Sequence, residues 1–309
     1  MLSLGFGDIE AFPFLTPPDS RGVKAALDLL GELGAVEPGK GAPRLTRIGR
    51  DIARMPIDPR FARMLIEAQR TGAIAEVLPV VAGMSIQDVR ERPEERREEA
   101  DRLHARFADP TSDFLALLNL WNHLQEAQRE NGSSAFRRLC KAEHLNYVRV
   151  REWFDVHRQI RSLVPSTGSG TAGREGARSG RESARSGRES ARSTDTDEQA
   201  LDPAAIHRAI LAGLLSHIGL IDERATQKGA TPARRAPAPD YLGARGIRFA
   251  IFPGSGLRKA RPKAVMAAEL VETSRLYART VAAIDPAWAE PLAGDLAKRQ
   301  VSEPHWSKD

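Results

Sequence analysis

Gly34-Ala-Val-Glu-Pro-Gly39-Lys40-Gly41 comes within one residue of the phosphate loop G-x-x-x-x-G-K-[ST]. That chemistry needs a hydroxyl after the lysine to hold magnesium, and a strand leading into a helix. Here Gly41 takes the place of the hydroxyl and the segment follows a helical pattern, so the expectation is a helix stop followed by a turn. Gly168-Ser-Gly170-Thr-Ala-Gly173 spells G-x-G-x-x-G, with neither strand before it nor helix after it. Cys140 and His144 stand four apart, a spacing that puts two zinc ligands on one helix face, but no second pair lies nearby in sequence. A packed cysteine and a partly exposed histidine are expected instead. His207 and His217 are isolated, and no Ser, His and Asp set carries a local signature. No catalytic centre is expected.

Cations are the more informative chemistry. Residues 1–57 carry seven basic and seven acidic side chains, 58–164 seventeen of each, and 165–200 six of each. Residues 201–309 carry sixteen basic against eleven acidic, so the whole net charge of +5 lies there. Between Arg224 and Lys263 ten Lys and Arg face a single acid, Asp240. Such a surface suits an anionic partner, nucleic acid first among them. Around Arg245-Gly-Ile-Arg248 and Pro253-Gly-Ser-Gly-Leu-Arg258-Lys259, glycines expose backbone N–H groups beside cationic side chains, a combination suited to phosphate oxygens. Residues 133–164 add a smaller surplus, seven basic against three acidic, which makes the last helix there a positive edge. Phe249, Phe252 and Tyr277 could stack on bases, although aromatic residues in short strands usually fill a core.

The elements that would position these groups fall into four stretches. In residues 1–57, Asp19 or Ser20 caps a helix with Val23, Ala26, Leu27, Leu30 and Leu33 at helical spacing, and Gly34 stops it. Val36, a Pro-Gly-Lys-Gly turn, Leu45 and a helix from Arg47 to about Arg54 follow, the outline of a winged helix. Residues 58–164 read as an antiparallel helical bundle, with one long helix carrying Phe114, Leu118 and Trp121 and a final one over 142–163. Residues 165–200 repeat SGRESAR and hold almost no apolar residue larger than alanine, which predicts a disordered linker. Residues 201–309 open with a helix over 203–216, pass through a basic insertion at 225–240, and then alternate at Ile247, Phe249 and Ile251. Glycine-bounded strands closed by a helix over 286–299 suit a small β-barrel. The fold class expected is multidomain, mainly α with a small β part.

Composition sets the outer bounds. The chain is 41% hydrophobic and 28% charged, ordinary for globular material, and its one cysteine rules out an internal disulfide and suits a reducing compartment. No apolar run is long enough to span a bilayer and the first residues lack a basic signal region, so a cytoplasmic location without membrane contact is expected. An apolar, glycine-containing start and an end on SEPHWSKD without a clear stop suit an excerpt of a longer polypeptide.

Several of these residues carry a resemblance. Thr46-Arg-Ile-Gly49-Arg50-Asp-Ile-Ala-Arg-Met-Pro56-Ile-Asp58-Pro59-Arg60 resembles the winged-helix to ratchet junction of DEAH-box RNA helicases. Phe136-Arg-Arg-Leu-Cys140 with Leu145-Asn146-Tyr147-Val-Arg149-Val-Arg151-Glu-Trp153 is similar to the ratchet helix of their bacterial, HrpA-type branch. Leu214-Leu-Ser-His217-Ile-Gly219, Phe252-Pro-Gly-Ser-Gly256 and Glu269-Leu-Val-Glu-Thr-Ser-Arg275 resemble its OB-fold region. The resemblance implies an accessory cassette of winged helix, helicase-associated (HA2-type) ratchet bundle and OB-fold forming one wall of a channel for single-stranded RNA. It also implies partners in RecA-like motor domains of the same polypeptide, which hold ATP and Mg, and a protein activator docking at the OB-fold. This chain has neither the phosphate loop nor the DEAH box, so no cofactor and no ATPase activity of its own are expected. The linker departs from the family pattern and predicts a loosened tie between ratchet and OB-fold. RNA contacts are assigned to Arg149 and Arg151 on the ratchet helix and to Arg248, Ser255, Arg258 and Lys259 in the OB-fold. Two other readings stay open: a winged-helix DNA-binding regulator, and a protein-interaction scaffold using the basic C-terminal third.

Overall fold

The computed structural model describes residues 1–5, 12–39, 43–164, 202–222 and 241–294. The repeat-bearing linker, the 225–240 insertion and everything after residue 294 lie outside the described residues.

Short polar side chains open most of the helices, Asp19 among them as expected. Asp19, Thr46, Asp58, Ser112, Asn146 and Asp202 each accept a backbone N–H at the start of α1 (Ser20–Glu32), α2 (Arg47–Ala53), α3 (Pro59–Thr71), α6 (Asp113–Glu130), α8 (Tyr147–Leu163) and α9 (Pro203–Leu211). Between them stand α4 (Ile74–Met84), α5 (Arg97–Ala105) and α7 (Ser133–Ala142). The helix expected over 142–163 starts later, at Tyr147, because α7 ends at Ala142 and a turn intervenes. His144 adopts φ 54° after α7, and Asn146 recaps the chain to start α8.

The outline of a winged helix over 1–57 is only partly matched. α1 and α2 are joined by a single antiparallel bridge, Val36 to Leu45, and residues 40–42 of the expected wing turn are outside the described set. Leu33, Ala35, Ile52 and Met55 bury a small core that continues into Ala62 of α3. Gly49 matters to it, because a Cβ there would lie 2.0 Å from the Ala35 carbonyl oxygen.

The main core runs from α3 through α8 around Phe114, Trp121 and Trp153. The Trp153 indole donates to the Pro79 carbonyl at 2.9 Å. That same core takes in Ile206, Ile210 and Leu211 of α9 and Ala264, Met266 and Ala282 of the following sheet. The helix expected to open the C-terminal unit is thus packed in the bundle. A loosened tie between the two units does not hold, because apolar burial joins them across the linker whatever the linker does.

The sheet has β1 (Ile218–Ile221), β2 (Tyr241–Gly243), β3 (Arg248–Ile251), β4 (Ala264–Glu272) and β5 (Leu276–Ala283). They close a barrel in the order β1-β2-β3-β5-β4, antiparallel except for the β3–β5 pair. The stretch over 264–273, open to strand or helix on sequence, is strand β4. Phe249 fills the barrel beside Gly219 and Gly243, which face each other across β1 and β2. A Cβ on Gly219 would come 2.3 Å from its ring, so the glycine makes room for the aromatic. The helix expected over 286–299 begins as a single 3₁₀ turn, Pro286–Trp288, and α10 (Ala289–Ala293).

Candidate nucleic-acid interface

The barrel loops carry the charge where the sequence put it. Arg245, Arg248, Arg258, Lys259, Arg261 and Lys263 are all exposed, and no acidic residue occurs between Tyr241 and Ala268. Two hairpin-like segments present them: the turn after β2, where Arg245 and Gly246 take φ of 57° and 75°, and the long β3–β4 connection, where Arg261 takes φ 48°. In that connection Ser255 starts a 3₁₀ turn, Gly256–Arg258, by accepting the Leu257 N–H at 3.2 Å. Leu257 is fully buried and pins the turn to the barrel, so Arg258 and Lys259 project from a fixed backbone.

The six residues assigned to RNA on sequence divide into two groups. Arg151 on α8 and Arg258 and Lys259 on the barrel are exposed and make no ion pair among the described residues. Arg149, Arg248 and Ser255 are engaged within the chain. The Arg149 guanidinium donates to the Asp88 carbonyl at 2.9 Å, tying the strap before α5 to the start of α8. Asp88 in turn holds Arg90 through both carboxylate oxygens. Burial works against that charge, yet the hydrogen bond from Arg90 holds the Asp88 carboxyl below its ordinary range. Arg248 pairs with Asp222 at 2.8 Å. Ser255 donates its hydroxyl to Asp113 on α6 at 2.6 Å.

Asp113 was not singled out by sequence. Besides Ser255, it accepts the Gly256 N–H at 3.2 Å and the Val281 N–H at 2.9 Å, so one bundle carboxylate gathers the barrel's basic turn and its strand β5. Next to it, Ser112 pairs with Ala282 in an isolated bridge, and the Ala283 N–H donates to the Thr111 carbonyl at 2.9 Å. The buried Ser112 hydroxyl also lies 2.8 Å from His207 Nε2 of α9. No local sequence pattern links residues so far apart in the chain.

Of the aromatic residues, Phe249 is barrel core and is removed from any base-stacking role. Phe252 and Tyr277 are half-buried on the outside of the barrel, ring centroids 5.9 Å apart at 89°. Arg279 lies 4.7 Å over the Phe252 ring and Arg275 lies 5.7 Å over the Tyr277 ring. The alternation Tyr277-Ala278-Arg279 in a strand was the available signal for this grouping.

The remaining motifs that fall on described residues have structural occupations, and Gly168–Gly173 lies outside them. Gly34 takes φ 66° after α1 and its N–H bonds to the Gly31 carbonyl, the helix stop expected there, while Lys40 and Gly41 lie outside the described residues. Cys140 is buried, and burial pushes its thiol up to about 11. His144, expected partly exposed, is buried, because its left-handed backbone turns it back against the bundle. His217 Nδ1 lies 3.2 Å from the Ala267 carbonyl. Among the described residues no group of three or more His, Cys, Asp or Glu could hold a metal ion, and no helix is long and apolar enough to cross a membrane.

Comparison with known proteins agrees with this architecture. Residues 206–296 match the oligonucleotide/oligosaccharide-binding (OB)-fold family and residues 58–117 the ratchet-like helicase associated domain (HA2). The whole chain is 44% identical to the ATP-dependent RNA helicase HrpA of Escherichia coli and 46% identical to the HrpA homolog of Haemophilus influenzae, covering 21% of each. It is 27% identical to the probable ATP-dependent RNA helicase DHX35 of Homo sapiens, over 94% of this chain and 35% of that protein. The chain therefore spans about a fifth of the length of the two bacterial relatives.

Proposed function

We infer, from a chain that belongs to the HrpA-type DEAH-box RNA helicases, matching their sequence along its whole length, HA2 over 58–117 and the OB-fold over 206–296, that it is the RNA-gripping accessory part of such an enzyme. In this reading it forms one wall of a channel for single-stranded RNA, and the motor domains of the same polypeptide supply ATP hydrolysis. The sequence supports placing ATP and Mg outside this chain, since its one near-match to a phosphate loop has Gly41 where the hydroxyl is needed. Nucleotide chemistry is accordingly assigned outside this chain.

The observation that carries the reading is the rigid basic turn Ser255–Lys259. It projects from a closed barrel of the oligonucleotide-binding type and is held in place by a carboxylate of the ratchet bundle. Arg258 and Lys259, with Arg151 on α8, are the contacts to phosphate. Cations on a fixed loop bind the backbone without reading sequence, which suits a strand that must slide. Arg149, Arg248 and Ser255 act one step back, positioning the strap, the β3 edge and the turn.

Fluorescence anisotropy of a labelled single-stranded RNA titrated with this chain at several salt concentrations, beside a matched DNA duplex, tests the reading. Salt-sensitive binding with preference for single-stranded RNA supports it. Binding confined to one duplex sequence would support a DNA-binding regulator instead, and absence of RNA binding at low salt would overturn the grip by this chain alone.

A further inference from the structure

We propose that Phe252, Tyr277 and Arg279 form a stacking step for an unpaired RNA base on the outer face of the barrel, so that the OB-fold part contacts bases as well as phosphates. The proposal rests on the RNA-gripping reading above and adds to it a subsite of different chemistry.

The placement follows from the register. Ala250 and Ile251 of β3 stand opposite Tyr277 and Ala278 of β5, and the Phe252 N–H continues the ladder by donating to the Ala278 carbonyl at 2.9 Å. Ala278 is fully buried inside the barrel, so its strand neighbours Tyr277 and Arg279 point outward, and the alternation resets at Thr280, which takes φ 51°, before Val281 turns in again. Phe252 then turns onto the same outer face, next to them. Three residues on, the Ser255 N–H donates back to the Phe252 carbonyl at 3.0 Å, which turns the chain from this patch into the segment bearing Arg258 and Lys259.

Two apolar rings left half-exposed on a barrel would normally be covered or replaced. Here they meet edge to face at 5.9 Å, and the exposed Arg279 guanidinium carbon lies 4.7 Å from the centre of the Phe252 ring. Arg279 is about half exposed, held laterally by Glu269 at 3.7 Å. A guanidinium plane stacked on one ring leaves its other face open, and that face is a platform for a nucleobase. Every base has such a face, so the step discriminates an unstacked strand from a duplex without preferring a sequence. The neighbouring Arg258 and Lys259 would hold the phosphates on either side of the stacked base.

The test uses the full chain and oligouridylate carrying one 2-aminopurine, whose fluorescence is quenched on stacking, alongside the same strand with an abasic site at that position. Phe252→Leu and Arg279→Lys are compared with the unaltered chain, the second keeping the positive charge and removing the plane. The expected result is quenching on binding, at least fivefold weaker binding of the abasic strand, and loss of both differences in either variant with the salt slope unchanged. Arg279→Lys alters an exposed side chain, so it keeps the test valid if Phe252→Leu fails to fold. Equal affinity for base-bearing and abasic strands, or quenching unchanged in both variants, overturns the stacking step and leaves the rings to a protein partner. If RNA binding depends on Arg258 and Lys259 but not on these variants, only the stacking step falls. If no RNA binds, the gripping reading falls with it.

Discussion

The Asp113 carboxylate accepts the Ser255 hydroxyl at 2.6 Å, so the first residue of a bundle helix holds the barrel turn that carries Arg258 and Lys259. With the Gly256 and Val281 N–H groups as further donors, all three bonds end on one charged acceptor. Asp113→Ala strands those donors at a partly buried joint, and bonds to a charged group cost about 1.5–3 kcal/mol each when lost, without simple additivity. The expected loss is about 3 kcal/mol in urea unfolding. Limited proteolysis should cut the 252–263 segment early. Ser255→Ala, removing one donor, should cost about half as much.

Arg258 and Lys259 are the two exposed cations on that turn. Their joint replacement by Ala should weaken single-stranded RNA binding equally for every sequence, and reduce the slope of log K against log salt by about 1.4, near 0.7 per phosphate contact. Anisotropy at three or more salt concentrations reads the slope. The same replacement at Arg149 should instead lower stability, since its guanidinium holds the Asp88 carbonyl.

His207 gives the fold a pH dependence. Burial pushes the imidazole down to about 4, with the charge of Asp109 pulling weakly the other way. Ser112 Oγ accepts the Leu115 N–H, which leaves its own proton for Nε2 of a neutral ring. The unfolded histidine titrates near 6.5, so between about 6.5 and 4 the unfolded state binds more protons and stability falls as pH drops. About 3 kcal/mol is lost across that window and none of it above it. Thermal melting from pH 7.5 to 4.5 should show the loss, and His207→Gln should flatten it.

Cys140 is buried in the bundle and its thiol is pushed up to about 11. Thiolate is the reactive form, so alkylation by iodoacetamide at pH 7.5 should be on the order of a hundredfold slower in the native chain than in urea. Equal rates would show that α7 opens readily.

Gly49 sits in α2 with its Cα against the Ala35 carbonyl. Gly49→Ala places a methyl where 2.0 Å separates it from that oxygen, and should cost about 3 kcal/mol, seen as a lower melting temperature. Gly22→Ala, in an exposed stretch of α1 with open space around it, should leave melting unchanged or raise it slightly.

The starts of α1 and α2 were legible because capping is local: Asp19 and Thr46 act on N–H groups two and three residues away. The barrel was legible as alternation between glycines, and Gly219 and Gly243 turned out to frame Phe249. The break at His144 was not, since a left-handed backbone at a histidine has no sequence mark. It exists because the 88–91 strap pairs with 144–146. The engagement of Arg149, Arg248 and Ser255 was equally hidden. Charge and glycine content mark a residue as able to hold phosphate, while its actual partner depends on which distant carboxylate or carbonyl the fold brings up. The OB-fold likeness was readable from motifs, and the attachment of α9 to the bundle was not, because it crosses the whole SGRESAR segment.

That attachment changes what the segment between α8 and α9 has to do. Both of its ends are anchored in one apolar core, through Ile160 on one side and Ile206 on the other, so the peptide connection is not what keeps the halves together. Closing a loop whose ends are already fixed costs only logarithmically in its length, about 0.6 kcal/mol for each doubling. The chain can therefore be lengthened or modestly shortened between 165 and 201 with little penalty to assembly, whereas a cut there makes the joining of the halves bimolecular and dependent on concentration. Residues 1–164 and 202–309 produced as separate polypeptides should find each other as the two halves of one molecule.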